Sequence, residues 1–188
     1  MSYVRIHSDG LARCSWLNDD PIYVDYHDNE WGTPGRGQRE LFEAICLEGF
    51  QAGLSWITIL RRREGFRRAF DNFEISKVAG FDESKVESLM QNPEIIRNRA
   101  KIKSAIHNAQ IVLEKDIDLT ELLWSFVPKD SPVMDAHFEW RATSLESDAL
   151  SKELKRLGFS FVGSTTMYAL MQSSGIIKDH SPGCFRRE

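Results

Sequence analysis

The stretch Leu154-Lys-Arg-Leu-Gly158-Phe-Ser-Phe-Val-Gly163-Ser-Thr-Thr-Met167 decides the reading of the fold. Residues 148–157 carry helical spacing up to Gly158, and residues 164–174 carry it again after Gly163. Two helices therefore meet at a short turn bracketed by glycines. The second helix opens on Gly163, Ser164, Thr165 and Thr166. Unpaired backbone N–H groups at such an end, with added hydroxyls, suit a phosphate oxygen. Lys155 and Arg156, just before the turn, place positive charge beside it. Read alone, the same segment is also an ordinary αα-hairpin.

Outward from the hairpin the helical pattern continues. Leu41, Phe42, Ile45 and Cys46 share one face of a helix that begins near Gln38. Leu54, Ile57, Ile59 and Leu60 mark a second helix, after Gly49 and Gly53. Ser76 suits the cap of a short helix carrying Val78 and Ala79, and Asp82 the cap of Glu83–Gln91. Pro93 reads as the start of a helix bearing Ile95, Ile96, Ile102, Ile106, Ala109 and Val112, and residues 118–127 as another. Residues 128–147 read as a polar connection, residues 14–37 as an ordered, aromatic-rich region with short helices, and residues 1–13 as a loose leader. No segment sustains a period of two. The expected fold class is all-α, a single domain over residues 1–188.

Composition narrows the class. The chain has 188 residues, 41% hydrophobic and 28% charged, enough for one sizeable core. Its apolar runs fall short of the ~20 residues that cross a bilayer, and the N-terminus has no apolar signal core. Three cysteines argue against a disulfide framework and for a reducing compartment, so a cytoplasmic protein near the nucleoid is expected. The net charge of −4 does not advertise a polyanionic partner, but basic residues cluster at Arg61–Arg68, Arg97–Lys103 and Lys152–Arg156. Each cluster is equally a solvated helix face.

Two half-sites lie at the chain's ends. Cys14 and His27 stand near the start, His180 and Cys184 near the stop. Together they make a Cys2His2 set, the ligand count of a closed tetrahedral zinc site. One ion bound by all four would tie residues 14–37 to residues 175–188. Singly, each is a buried cysteine or a hydrogen-bonded histidine. Cys46, in an apolar run, reads as core packing. Between the first two ligands and just beyond them lie Trp16, Tyr23, Tyr26 and Trp31. Glu48 ends an apolar helix face beside Gly49, as a surface carboxylate or as part of a site. Trp56 and Tyr26 are candidates for two walls of a slot for a planar ligand.

In combination these stretches resemble the type I 3-methyladenine DNA glycosylase family. The resemblance is carried by Arg13-Cys-Ser-Trp16, Tyr23 through Tyr26-His-Asp-Asn-Glu-Trp-Gly32, Leu41-Phe-Glu, Leu47-Glu-Gly and Gln51-Ala-Gly-Leu-Ser-Trp-Ile57. Further matches are Ile95-Ile-Arg-Asn-Arg-Ala-Lys-Ile102, Trp124-Ser-Phe-Val127, Ser147-Asp-Ala-Leu-Ser-Lys152 and Gly158-Phe through Phe161-Val-Gly163. The leader before Ala12 and residues 134–143 depart from the family's pattern. The resemblance implies a helix-hairpin-helix fold over residues 148–174 and a structural zinc on Cys14, His27, His180 and Cys184. It implies base recognition and the catalytic role at Glu48, in a pocket lined by Trp16, Tyr23, Tyr26 and Trp56. It places a DNA-inserting loop on Gln51-Ala-Gly53-Leu54, and the hairpin residues Gly163, Ser164 and Thr165 on the DNA backbone. The implied partners are double-stranded DNA with alkylated adenine and free 3-methyladenine as product, handled by a monomer with no membrane association.

That chemistry asks little of the enzyme. N3-methylation makes the adenine cationic and weakens its N-glycosidic bond. Extrusion costs a few kcal/mol. Aromatic faces attract the cation, and a carboxylate accepts from its amino edge. Glu48 is therefore expected to act by recognition and electrostatics, not as a nucleophile. Asp179, beside His180, is expected to orient a zinc-bound histidine or to face solvent. No lysine stands out as a Schiff-base nucleophile, so a monofunctional enzyme is expected. The rival reading is a non-catalytic, zinc-stabilised DNA-binding module, which would not require Glu48 in an aromatic pocket.

Overall fold

The computed structural model describes residues 3–129 and 139–187. An antiparallel hairpin, β1 (Val4–Ile6) and β2 (Ala12–Cys14), precedes the helices. These are α1 (Pro21–Asn29), α2 (Gln38–Gln51), α3 (Trp56–Leu60), α4 (Arg63–Ala69), α5 (Ile75–Ala79), α6 (Glu83–Gln91), α7 (Arg99–Glu114), α8 (Leu119–Trp124), α9 (Leu145–Leu157) and α10 (Ser164–Ser173).

Short polar residues set most of the starts. Asp20 accepts from the Ile22 N–H with Pro21 in the first turn of α1, and Asp82 accepts from the Lys85 N–H at α6. Asp118 caps α8, and Ser144 and Ser147 cap α9 reciprocally. Gly158 ends α9 at a φ of 107° and turns the chain toward α10.

The main core is built around α2. Its Leu41, Phe42, Ile45, Cys46, Leu47 and Phe50 are buried against α7, α10 and the aromatic stack of Phe66, Phe70 and Phe73. Phe70 and Phe73 lie 5.5 Å apart and nearly parallel. Burying each such ring contributes about 2–3 kcal/mol. A second, smaller cluster gathers Cys14, Leu17, Tyr26, Trp31, Leu60 and Cys184, with Trp16 and Tyr23 against it. Trp56 packs on both clusters, so the aromatic region rests on the α2 core.

Four expectations are corrected. The leader read as loose forms the β1–β2 hairpin in register Val4↔Cys14, and the Tyr3 carbonyl accepts from Ser181 Oγ at 2.8 Å. Three-residue strands are too short for their alternation to show in sequence. The long helix begins at Arg99, not Pro93, because Asn98 caps it through the Lys101 N–H. α5 begins at Ile75, with Glu74 rather than Ser76 at its cap position. α9 begins at Leu145, three residues before the expected Asp148, because Ser144 supplies the cap. Of the departure from the family's pattern at residues 134–143, the part 134–138 lies outside the described residues.

Gly175 joins the clusters after α10. Its φ is 71°, and a Cβ there would lie 2.7 Å from the Gly32 carbonyl oxygen and 2.9 Å from the Pro34 nitrogen. Both neighbours are backbone and cannot swing aside. Gly175→Ala is expected to lower stability by at least about 1–3 kcal/mol in urea unfolding, from backbone strain plus the clash.

Candidate active site and metal centre

β2 delivers Cys14, the last turn of α1 delivers His27, and the segment after α10 delivers His180 and Cys184. All four are close together, their ligand atoms lying within 4.8 Å of one another. Cys14 Sγ is 3.7 Å from His180 Nδ1, and Cys184 Sγ is 3.5 Å from His27 Nε2 and 3.6 Å from His180 Nδ1. A tetrahedral zinc with bonds of about 2.0–2.3 Å separates its ligands by roughly 3.3–3.8 Å. The donor set and spacing fit such an ion. Hydrogen bonding to Cys14, then to His180 and His27, draws the Cys184 thiol toward thiolate against the opposing effect of burial.

The surrounding shell orients the rings. His27 Nδ1 lies 2.8 Å from Asp28 Oδ1, which leaves Nε2 to the cluster. Asp28 is gripped by the buried Arg13 through Nε at 2.8 Å and Nη2 at 2.6 Å. His180 Nε2 lies 3.2 Å from the Trp31 carbonyl, and the Ser181 N–H donates to Cys14 Sγ at 3.3 Å. Asp179 has neither role expected of it. It is buried, and it accepts from Tyr168 Oη at 2.9 Å and Gln172 Nε2 at 2.5 Å. Position beside a ligand in sequence misled here, because Asp28 and the Trp31 carbonyl already occupy the two histidines.

Next to the cluster a cavity of about 270 Å³ opens, lined by Trp16, Tyr23, Tyr26, Glu48 and Trp56. The residues assigned to base recognition thus share one cavity. Trp31, read as part of the aromatic run, and Gln51, read as part of the inserting loop, also line it, as do Trp140, Arg141, Ala169 and Gln172, which sequence reading missed. Only tertiary packing brings these last residues to α1 and α2. Tyr26 and Trp56 differ from the expected slot. Their rings lie 5.4 Å apart at 45°, whereas a ring between two others needs roughly 7 Å, twice a contact distance of about 3.5 Å. They pack on each other and present a joint apolar wall.

Glu48 is only 3% exposed, and its Oε2 has no hydrogen-bond partner; neither has the buried Trp56 Nε1. Burial pushes the Glu48 carboxyl up to about 8, only partly offset by a hydrogen bond from Ser173. An unmet buried polar atom costs about 1–3 kcal/mol. Glu48, on the lining of the cavity, is therefore an acceptor in want of a donor and a carboxyl in want of a cation.

The segment Gln51–Leu54 leaves the C-terminal end of α2 with Gly53 at a φ of 81° and Leu54 41% exposed. In the α9–α10 hairpin, Gly163 is the N-cap residue of α10, Ser164 and Thr165 open that helix, and Thr165 is exposed. Lys155 and Arg156 are exposed in the last turn of α9, with Arg156 paired to Glu153 at 2.6 Å. Most of the other arginine clusters are internally neutralised. Arg61 pairs with Asp20, Arg63 with Glu30, Arg67 with Glu43 and Glu64, Arg68 with Glu94, and Arg99 with Glu87.

The carboxyl raised by burial has a thermodynamic consequence. The folded protein keeps the Glu48 proton above the pH at which the unfolded chain loses it. That contribution to stability is complete below about 4.5 and is lost as pH rises through about 8. Between pH 6 and pH 9, Glu48→Gln is expected to gain roughly 2–3 kcal/mol relative to the parent in urea unfolding. A constant difference across that range would contradict the burial of an unmet carboxyl.

Known proteins resemble this chain in sequence and in fold. The family model described as methyladenine glycosylase matches residues 16–187. DNA-3-methyladenine glycosylase 1 of Escherichia coli (strain K12) is 46% identical over 93% of this chain and 96% of its own length. A crystal structure of 3-methyladenine DNA glycosylase I superposes with a TM-score of 0.88 at 45% identity, covering 94% of this chain and 100% of the other. A variant 3-methyladenine DNA glycosylase I, solved in complex with 3-methyladenine, superposes with a TM-score of 0.85 at 31% identity over 94% and 97% of the two chains. By both sequence and fold, this chain belongs to the methyladenine glycosylase family.

Proposed function

We propose that this protein is a DNA-3-methyladenine glycosylase of base-excision repair, and that Glu48 is the residue by which it knows its lesion. The observation that carries the reading is a buried Glu48 carboxyl, one oxygen of it unpartnered, on a residue that lines an aromatic cavity. A DNA-binding module without catalysis has no use for such a group. A cationic purine with an amino edge supplies both things it lacks. On entry of the base, Glu48 gives up its proton and accepts from the amino group as a carboxylate. The joint wall of Tyr26 and Trp56, with Trp16 and Tyr23 beside it, adds cation–π and stacking contacts of about 0.5–2 kcal/mol each. A neutral base meets the same cavity without the charge that offsets desolvation of Glu48.

The bond that breaks is C1′–N9 of the lesion. Its electron pair neutralises the methylated purine, water oxygen bonds to C1′, and a proton passes to solvent. The cation is already a good leaving group, so this chain's residues extrude, hold and select it. Gln51–Leu54 enters the duplex at the flipped nucleotide, with Leu54 as the apolar wedge and Gly53 permitting its approach. Gly163, Ser164 and Thr165 take a backbone phosphate, aided by Lys155 and Arg156. Arg156, exposed and paired with the half-buried Glu153, exchanges that partner for phosphate at little cost. Lys101 is engaged with backbone carbonyls rather than the cavity, in keeping with hydrolysis without a Schiff base. The enzyme acts as a cytoplasmic monomer.

Cys14, His27, His180 and Cys184 would hold a structural zinc; four protein ligands leave no position for a reactive water. The ion would fix β2, α1 and the C-terminal segment around the aromatic cluster. Elemental analysis of protein purified without chelator is expected to give one zinc per chain. Cys184→Ala is expected to lower stability while leaving lesion preference unchanged. Folded, active protein without stoichiometric metal would overturn the assignment.

The decisive assay is release of 3-methyladenine from alkylated DNA, with products separated by chromatography. Glu48→Gln is expected to lose about 1.5–3 kcal/mol of base affinity, or ten- to a hundredfold, in fluorescence titration. Parental binding and excision by this variant would reduce Glu48 to a bystander. Charge reversal at Lys155 or Arg156 is expected to weaken DNA binding and its salt dependence while preserving free-base affinity. Equal loss of both would move the DNA to another face.

A further inference from the structure

α7 carries a polar stripe where an apolar one would pack more simply. Lys101, Ser104 and Asn108 lie on one face of the helix, and all three are buried. Lys101 Nζ donates to the Phe50 carbonyl at 2.9 Å and the Ala52 carbonyl at 2.5 Å. It thus caps the C-terminal end of α2, where Gln51–Leu54 departs. Burial lowers the Lys101 pKa, so the charge is kept there at a cost.

Further along the same face, Ser104 Oγ donates to the Ser160 carbonyl at 3.2 Å and accepts from Ser160 Oγ at 2.7 Å. Asn108 Nδ2 donates to the Ser160 carbonyl at 3.1 Å, and its Oδ1 accepts from the Ser160 N–H at 3.0 Å. The hairpin turn is therefore clamped at Ser160 by both partners. The next residue, Phe161, holds a φ of 57°, a left-handed conformation that is strained for a residue with a side chain. Phe161 is 39% exposed. Its Cβ lies 3.4 Å from where a Cβ on Gly49 would be, so the hairpin turn touches α2 just before its end.

We propose that Lys101, Ser104 and Asn108 are positioning residues that hold segment 51–54 and the turn 158–163 at one fixed separation. The proposal rests on the reading of both segments as DNA-facing. A duplex gripped by the hairpin then presents its lesion to Leu54 and Glu48 in a single register. One helix reads out both contacts, so neither segment can shift without the other.

The test uses Lys101→Met, which keeps the stem and removes the charge, and Lys101→Arg, which restores charge and donors. Lys101→Met is expected to bind free 3-methyladenine within about twofold of the parent. It is expected to excise the base from saturating alkylated DNA at least tenfold more slowly in single turnover, with Lys101→Arg recovering most of the rate. Should Lys101→Met fail to fold, Ser104→Ala and Asn108→Ala are expected to show the same split. Excision at the parental rate, or parallel loss of free-base affinity and excision, overturns the proposal. A parent that releases no base overturns the underlying function instead, so the two failures are distinguishable.

Discussion

A carboxyl group buried on α2 with one oxygen unmet is the constraint around which this molecule is arranged. Such a group is unfavourable unless something arrives to satisfy it. The helix bearing it is anchored by the phenylalanine core on one side, and the aromatic cluster closes it off on the other. The α2 core holds Glu48 buried, away from solvent. On the proposed reading, that cost is offset by what enters the cavity, which would make the group selective rather than merely costly.

The Cys2His2 cluster serves the same end from outside. The aromatic wall sits on a short helix and loops that bury little area of their own. Four side chains from three distant segments, able to hold a metal ion, converge where that core is missing, and the Arg13–Asp28–His27 chain fixes how one of them points. Trp31 belongs to both systems, through its carbonyl to His180 and its ring against Trp16 at 5.1 Å. The Cys2His2 cluster and the pocket therefore share one structural element.

Much of this was legible in sequence where local rules dominate. Asp82 and Asp118 announced their helices because a short acidic side chain satisfies the first free N–H groups. The ligand quartet was legible because cysteine and histidine are scarce. Glu48 stood out as a carboxylate on an apolar face. What stayed hidden depends on long-range partners. The β1–β2 hairpin gains its order partly from Ser181, far along the chain. Asp179 looked like a histidine partner until folding gave it Tyr168 and Gln172. Lys101 read as one member of a basic cluster, whereas it caps a helix distant in sequence. The tilt between Tyr26 and Trp56 is set by packing, which no spacing encodes.

With its carboxyl pushed up to about 8 by burial, Glu48 is protonated in the empty protein at neutral pH, and the proposed recognition requires it to ionise when a cation occupies the cavity. Calorimetric titration in buffers of differing ionisation enthalpy measures this directly. The ligand is DNA bearing a non-hydrolysable, permanently cationic 3-alkyladenine. Binding at pH 7 is expected to release close to one proton per site in the parent protein and essentially none in Glu48→Gln. Tight binding with no proton released, or equal release by both proteins, would contradict the claim that an unmet carboxyl recognises the lesion's charge.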